Sequence, residues 1–184
     1  MNKRFIVISG LILVAAITRM IPHPYNFAPI GAMSLFGAAY FTDKKFSFIL
    51  PILAMFISDL LINNILYAGY FDSFVFFTPR FWWTYGAIAL IVVSGLFLLK
   101  KITFTRVLGG SLLASIIFFI VSNFGVWLSD PDYPLNFAGL ILCYEAAIPF
   151  FHNTIAGNLF YSAVLFGGFE FAKSRVQGFQ ESIA

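Results

Sequence analysis

The chain has 184 residues, 60% of them hydrophobic and only 10% charged, with a formal net charge of +3. A soluble domain carries about 25% charged residues, so this composition excludes a water-facing globular surface and points to an integral membrane protein. The basic residues form no cluster on a polar arm; they read as membrane-flanking anchors, and nucleic acid is not an expected partner.

Lys3 and Arg4 precede a first apolar helix at 5–20. It ends at Arg19 with no small-residue cleavage site, so it reads as a retained span and not a signal peptide. The stretch 19–31 packs three prolines, Arg19, His23 and Asn26 between two apolar runs. A second helix at 27–41 is rich in small residues (Gly31, Ala32, Ser34, Gly37, Ala38, Ala39), which let helix backbones approach closely. After Asp43, Lys44 and Lys45, a third helix at 46–66 contains Pro51, an expected kink. Its Asp59 and Asn63 stand four apart and share one face. The loop 67–80 is aromatic, with Tyr67, Tyr70, Phe71, Phe74, Phe76 and Phe77. A fourth helix at 81–99 opens on Trp82 and Trp83, a pair expected in an interfacial belt. A fifth runs over 107–128 and is followed by Asp130 and Asp132. The remainder divides into an apolar run at 135–151 that contains Glu145 and Pro149, and a last helix at 152–172.

Topology decides how 135–151 is read. With a cytoplasmic N-terminus and alternating spans, Lys3, Arg4, Lys44, Lys45, Lys100, Lys101 and Arg106 all fall inside. If 135–151 crossed fully, Lys173 and Arg175 would lie outside. If it is a loop or half-helix packed at the outer face, nine of the eleven Lys and Arg residues are cytoplasmic. The expected fold is therefore all-α, a single transmembrane domain over 1–184: a six-transmembrane-helix bundle with a partly embedded outer element at 135–151 before the last span. Both termini are expected in the cytoplasm of a bacterial inner membrane.

The polar residues then gather on one side. Arg19 and Arg80 are the two basic residues left outside, with Asn26, Asp59, Asn123, Trp127, Glu145, Asn153 and Asn158 at or below the same face. Polar groups within a span are costly and usually face the bundle interior or a wet cavity. Ser115, Phe119, Asn123 and Trp127 form one stripe of period four, and Thr154, Asn158 and Ser162 another. These nine residues are the expected ligand-binding set. Two bland roles compete: Asp59 with Arg19 or Arg80 as a structural ion pair, and Asn123 and Asn158 as interhelical hydrogen-bond glue. Cys143, the single cysteine, excludes an internal disulfide and reads as packing. Neither a metal nor a cofactor is expected. There is no P-loop, no G-x-S-x-G elbow and no H-E-x-x-H, and an enzyme is not expected.

A resemblance rests on four motifs: Asn-Phe-Ala-Pro-Ile-Gly-Ala at 26–32; Ser58, Asp59 and Leu60; Ser-Asn-Phe-Gly-Val-Trp at 122–127; and Ala-Ile-Pro-Phe-Phe at 147–151 with Asn153. By these the chain resembles a family of small bacterial membrane proteins sometimes grouped with the substrate-binding (S) subunits of energy-coupling-factor vitamin transporters. In size, six helices and an outer polar pocket it is similar to those S subunits. The resemblance implies capture of a vitamin-like small molecule under the loops 21–26, 67–80 and 129–151. It also implies membrane lipid as surroundings, and a transmembrane coupling subunit and ATPases as partners. Such subunits carry small residues spaced by four on the first helix; here Ser9 and Gly10 are followed by Leu13 and Val14, a departure. By position, Arg19, Arg80 and Asn26 suit a carboxylate or phosphate, and Trp127 and the loop aromatics suit stacking on a ring. Two rival readings stay open. One is a membrane scaffold without ligand. The other is a membrane enzyme or ion carrier using Asp59, Glu145 and His152.

Overall fold

The computed structural model describes residues 3–175, and all regular structure among them is helical. Helix α1 is Lys3–Ile17, extended by a 3-10 turn at Thr18–Met20, and α2 is Ile30–Tyr40. Helix α3 is Lys45–Leu61, continued by a wide π-type turn at Ile62–Leu66. Helices α4 and α5 are Phe81–Leu98 and Phe104–Ser129. Helix α6 is Phe137–Ser162, and it passes through a π-type turn at Ala163–Gly167 into α7, Gly168–Arg175. Four segments are long and apolar enough to cross a membrane: Lys45–Leu66, Phe81–Leu98, Phe104–Ser129 and Phe137–Ser174.

Six spans were expected and four are seen: neither α1, at 15 residues, nor α2 is among them. Two further expectations differ in kind. The run 27–41 becomes an 11-residue helix, about 16 Å long at 1.5 Å per residue, against a hydrocarbon core of about 30 Å. It is instead the centre of the bundle: every residue of α2 except Ala39 is buried, and α1, α3, α4, α5 and α6 all pack on it. Its small residues serve as expected. Gly37 faces the Pro51 ring, and Leu35 packs against Gly95 and Gly110 of α4 and α5.

The second difference is the last third of the chain. No break separates 135–151 from 152–172; both belong to one helix beginning at Phe137, with Pro149 inside it. Asn136 caps that start by accepting the Gly139 N–H at 2.9 Å. Proline removes one ladder hydrogen bond and crowds the carbonyl four residues back, at about 3 kcal/mol. In a 26-residue helix packed along the length of α5, that local cost does not end the element. Glu145 and Pro149 are both exposed on its surface.

The helices alternate between two ends. At one lie Arg4, Lys44, Lys45, Lys100, Lys101, Arg106 and Lys173. Part of that charge completes α2. The last carbonyls of a helix lack partners within it, and those of α2 are buried. Ser47 Oγ donates to Gly37 O at 3.0 Å, Lys44 Nζ to Ala38 O at 3.2 Å and Phe41 O at 2.7 Å, and Arg4 Nη2 to Tyr40 O at 2.9 Å. Burial, and then the nearby Arg4 charge, lower the pKa of Lys44. Tyr40 OH donates to Glu170 of α7 at 2.7 Å, tying α7 to the same end. The opposite end holds Arg19 and Arg80, and there the polar residues meet.

Candidate functional site

At the Arg19/Arg80 end two adjoining cavities open, of about 380 and 340 Å³. They share Asn26, Thr78, Thr84 and Phe118 as a common wall. The smaller lies between α1, α3 and α4 and is lined by Arg19, His23, Asp59, Asn63, Tyr67 and Tyr85, among others. The larger lies between α4, α5 and α6 and adds Arg80, Phe119, Ser122, Asn123, Val126 and Thr154.

The segment 19–31 walls both. The Phe27 N–H donates to Pro24 O at 3.0 Å, closing a four-residue turn. Asn26 is its third residue, with φ of 64°, the one non-glycine residue in the left-handed region among the described residues. A positive φ there is the requirement of a type II turn, and asparagine tolerates it better than most side chains. The backbone of Phe27 and Ala28 lies directly on Gly157 of α6: a Cβ at 157 would stand 2.8 Å from Ala28 N and 3.1 Å from Phe27 C. Gly31, one turn further, faces the Asn158 amide in the same way.

The loop 67–80 is pinned by Asn64. Its Nδ2 donates to Leu60 O and to Val75 O, both at 2.9 Å, while its Oδ1 accepts the Val75 N–H at 2.7 Å. One side chain thereby imitates a strand partner for Val75. Asn64→Ala should free this loop: limited proteolysis should cut between residues 67 and 80 several-fold faster than in the unmodified protein, with the helical bundle intact. Equal cutting rates would show that the amide does not hold the loop.

Electrostatically the two cavities differ. Arg19 Nη1 pairs with Asp59 Oδ1 at 2.8 Å and also donates to Ser58 Oγ. Asp59 Oδ2 accepts from Tyr85 OH at 2.9 Å. The pair is mostly shielded, with side chains 14% and 22% exposed, and its charges cancel within the wall. Arg80 is half-exposed, and its Nη1 stands 3.7 Å from Asp130 Oδ2, a loose pair.

Of the nine expected residues, Arg19, Asn26, Asp59, Arg80 and Asn123 line the cavities. The other four do not. Trp127 is one helical turn beyond Asn123, where its indole N–H donates to Pro134 O at 2.9 Å and its ring packs on Phe124. Asn158 is one turn deeper than Thr154; it is buried and donates to Ser115 Oγ at 2.9 Å, joining α6 to α5. Ser111 and Ser162 repeat that junction at 2.8 Å. Asn153 is half-buried outside both linings, and Glu145 and His152 are exposed on α6. Of the loop aromatics only Tyr67 lines a cavity, while Tyr70, Phe71, Phe74, Phe76 and Phe77 are exposed. Trp82 is exposed as a belt residue is, but Trp83 packs against Gly125 and Phe124.

Thr78, Thr84, Tyr85, Ser122 and Thr154 line the cavities without having been singled out in the expected set. Hydroxyls are common on apolar helices, and their sequence signal is weak. Thr84 lies four residues after Arg80, and Ser122 sits beside Asn123, which were the available clues.

A protein-family model described as a family of unknown function, DUF6580, matches residues 1–180, and the chain belongs to that family. None of the curated proteins and none of the solved structures matches the chain.

Proposed function

We propose that this DUF6580 protein is a substrate-capture subunit of a bacterial inner membrane that binds a small vitamin-like molecule in its paired cavities. In this reading the cavity end faces outward and both termini are cytoplasmic. The loaded protein then passes its cargo on with a transmembrane coupling subunit and ATPases, as the resemblance to S subunits implies. The observation that carries the reading is the cavity pair itself. In a chain with four helices long and apolar enough to cross a membrane, polar side chains from six separate segments converge on adjoining spaces of about 380 and 340 Å³. Small-molecule sites occupy about 300–1,000 Å³. Polar groups are tolerated at such depth where they face a wet cavity. The orientation is supported by the seven Lys and Arg residues of the opposite end. Arg4 and Lys44 double as caps of α2 and Arg106 donates to Leu98 O at the end of α4, so Lys45, Lys100, Lys101 and Lys173 supply the clearer part of that signal.

The test is native mass spectrometry of detergent-purified protein, with thermal melts against a vitamin panel. A copurified small molecule, or a melting point raised by several degrees by one vitamin, is the expected result. Protein that carries nothing and responds to no vitamin would remove the reading.

A scaffold role is favoured by one specific observation, the closed network of Arg19, Ser58, Asp59 and Tyr85, which needs no ligand. Asn123→Ala separates the two readings. The Asn123 amide bonds to Phe119 O of its own helix, outside that network, so capture predicts weakened ligand binding with normal folding, whereas a scaffold predicts that neither binding nor stability responds. The enzyme or ion-carrier reading draws little support from the cavity lining, which includes Asp59 but neither Glu145 nor His152.

A further inference from the structure

Building on the capture reading, we propose that the cavity between α4 and α5 takes a flat molecule with one anionic group, a carboxylate or a phosphate, and that Asp130 competes with that group for Arg80.

Arg80 is the one charged side chain lining this cavity among the described residues. Its guanidinium is the lining's strongest donor, with five N–H groups in a fork matched to carboxylate and phosphate oxygens. The carboxylate it pairs with, Asp130, lies outside the lining at 3.7 Å, well beyond the ~2.8 Å of a formed charge-assisted hydrogen bond. Asp130 is held by its own loop: its Oδ1 accepts the Asp132 N–H at 3.1 Å. The guanidinium can therefore turn inward to a ligand oxygen without unfolding that loop. Arg19 is in the opposite condition, bonded to Asp59 and Ser58 at once, so an anion entering the neighbouring cavity meets no unneutralised cation from that pair.

The rest of the lining defines the remainder of the ligand. Ser122 Oγ donates to Phe118 O at 2.6 Å, and Asn123 Nδ2 to Phe119 O at 2.7 Å. With its one donor turned into its own helix, Ser122 offers the cavity an oxygen acceptor, and Asn123 offers its amide oxygen together with its second N–H. They suit an amino or hydroxyl group on the ligand. Phe118 and Phe119 supply the apolar wall for a flat body. A small aromatic acid bearing an amino or hydroxyl group has this set of features.

The experiment uses the full chain in detergent, with binding measured by calorimetry and thermal shift. The probes are 4-aminobenzoate, its neutral amide 4-aminobenzamide, phenyl phosphate and inorganic phosphate. The proposal expects the acid or phenyl phosphate to bind at least about tenfold more tightly than the amide, as a hydrogen-bonded charge warrants. Whichever of the two binds more tightly identifies the group as carboxyl or phosphoryl, and inorganic phosphate alone reports whether the aromatic body is needed. Arg80→Gln should cost about tenfold or more, while Asp130→Asn should tighten binding by about threefold, a gain that misfolding cannot produce. The proposal is overturned if the amide binds as well as the acid, if Asp130→Asn weakens binding, or if no anionic probe binds either the unmodified protein or Asp130→Asn. If native mass spectrometry finds a neutral or cationic molecule whose binding is weakened by Asn123→Ala but not by Arg80→Gln, the anion proposal falls and the capture reading stands. If the protein binds nothing at all, both fall.

Discussion

Asp59→Asn should cost the purified protein about 3 kcal/mol of stability, read as an earlier midpoint in a denaturant titration or a detergent melt. The carboxylate holds three elements together: Arg19 just after α1, its own α3, and Tyr85 of α4. Removing one partner of a buried pair typically costs about 3–5 kcal/mol, because the other charge is left without compensation. Here the side chains are 14% and 22% exposed, so water relieves part of the loss and the low end applies. Ser58 cannot take over. Its hydroxyl already donates to Met55 O at 2.9 Å, leaving only its oxygen for the guanidinium. The double variant Arg19→Met with Asp59→Leu carries no orphan charge and should recover most of the stability. A single variant as stable as the original protein would sink the structural assignment and return Asp59 to the ligand.

Gly157→Val should also be damaging, at about 2–3 kcal/mol. The neighbour a side chain would strike is backbone, Ala28 N and Phe27 C, and not the flexible tip of another residue. The strand of chain bearing Asn26 would be pushed off α6, and both cavities would lose their common wall. Ligand binding and melting temperature should therefore fall together. Gly109→Ala on α5 is the control. A Cβ there meets nothing within 4 Å, and alanine should be neutral or stabilising by up to about 1 kcal/mol. If Gly157→Val melts like Gly109→Ala, the packing of 27–28 on α6 does not matter to the fold.

The features that were readable in the sequence depend on charge and on short periods. The spacing of Lys3 through Arg106 gave the alternation of ends, and Asp59 with Arg19 was one of two pairs considered. Helix ends near 81, 99 and 128 fall within a few residues of those observed, because Arg, Trp, Lys and Asp mark them. Two things were hidden. An apolar run such as 27–41 has the same composition whether it meets lipid or other helices, so the burial of α2 was not visible. At 135–151, Pro149 and Glu145 looked like interruptions, yet their effect depends on what surrounds them, and on an exposed face of a long helix both are accommodated. The site was half-legible for a related reason. Ionic and amide side chains stand out in an apolar chain, but a period of four aligns Asn123 with Trp127 and Thr154 with Asn158 without saying which turn reaches the cavity.

The encirclement of α2 also bears on how the protein is made. At 11 residues this helix is about half as long as a hydrocarbon core is thick, so its place depends on the helices around it. Its C-terminal caps come from nearby in the chain, Arg4, Lys44 and Ser47. Its wall against α6, where Gly31 meets Asn158, is synthesised more than a hundred residues later. Until that helix emerges, the nascent chain displays a small-residue groove with no occupant, the kind of surface on which quality-control factors and misassembly both act. A chain stopped after α5 lacks that wall and should be cleared by proteolysis rather than accumulate.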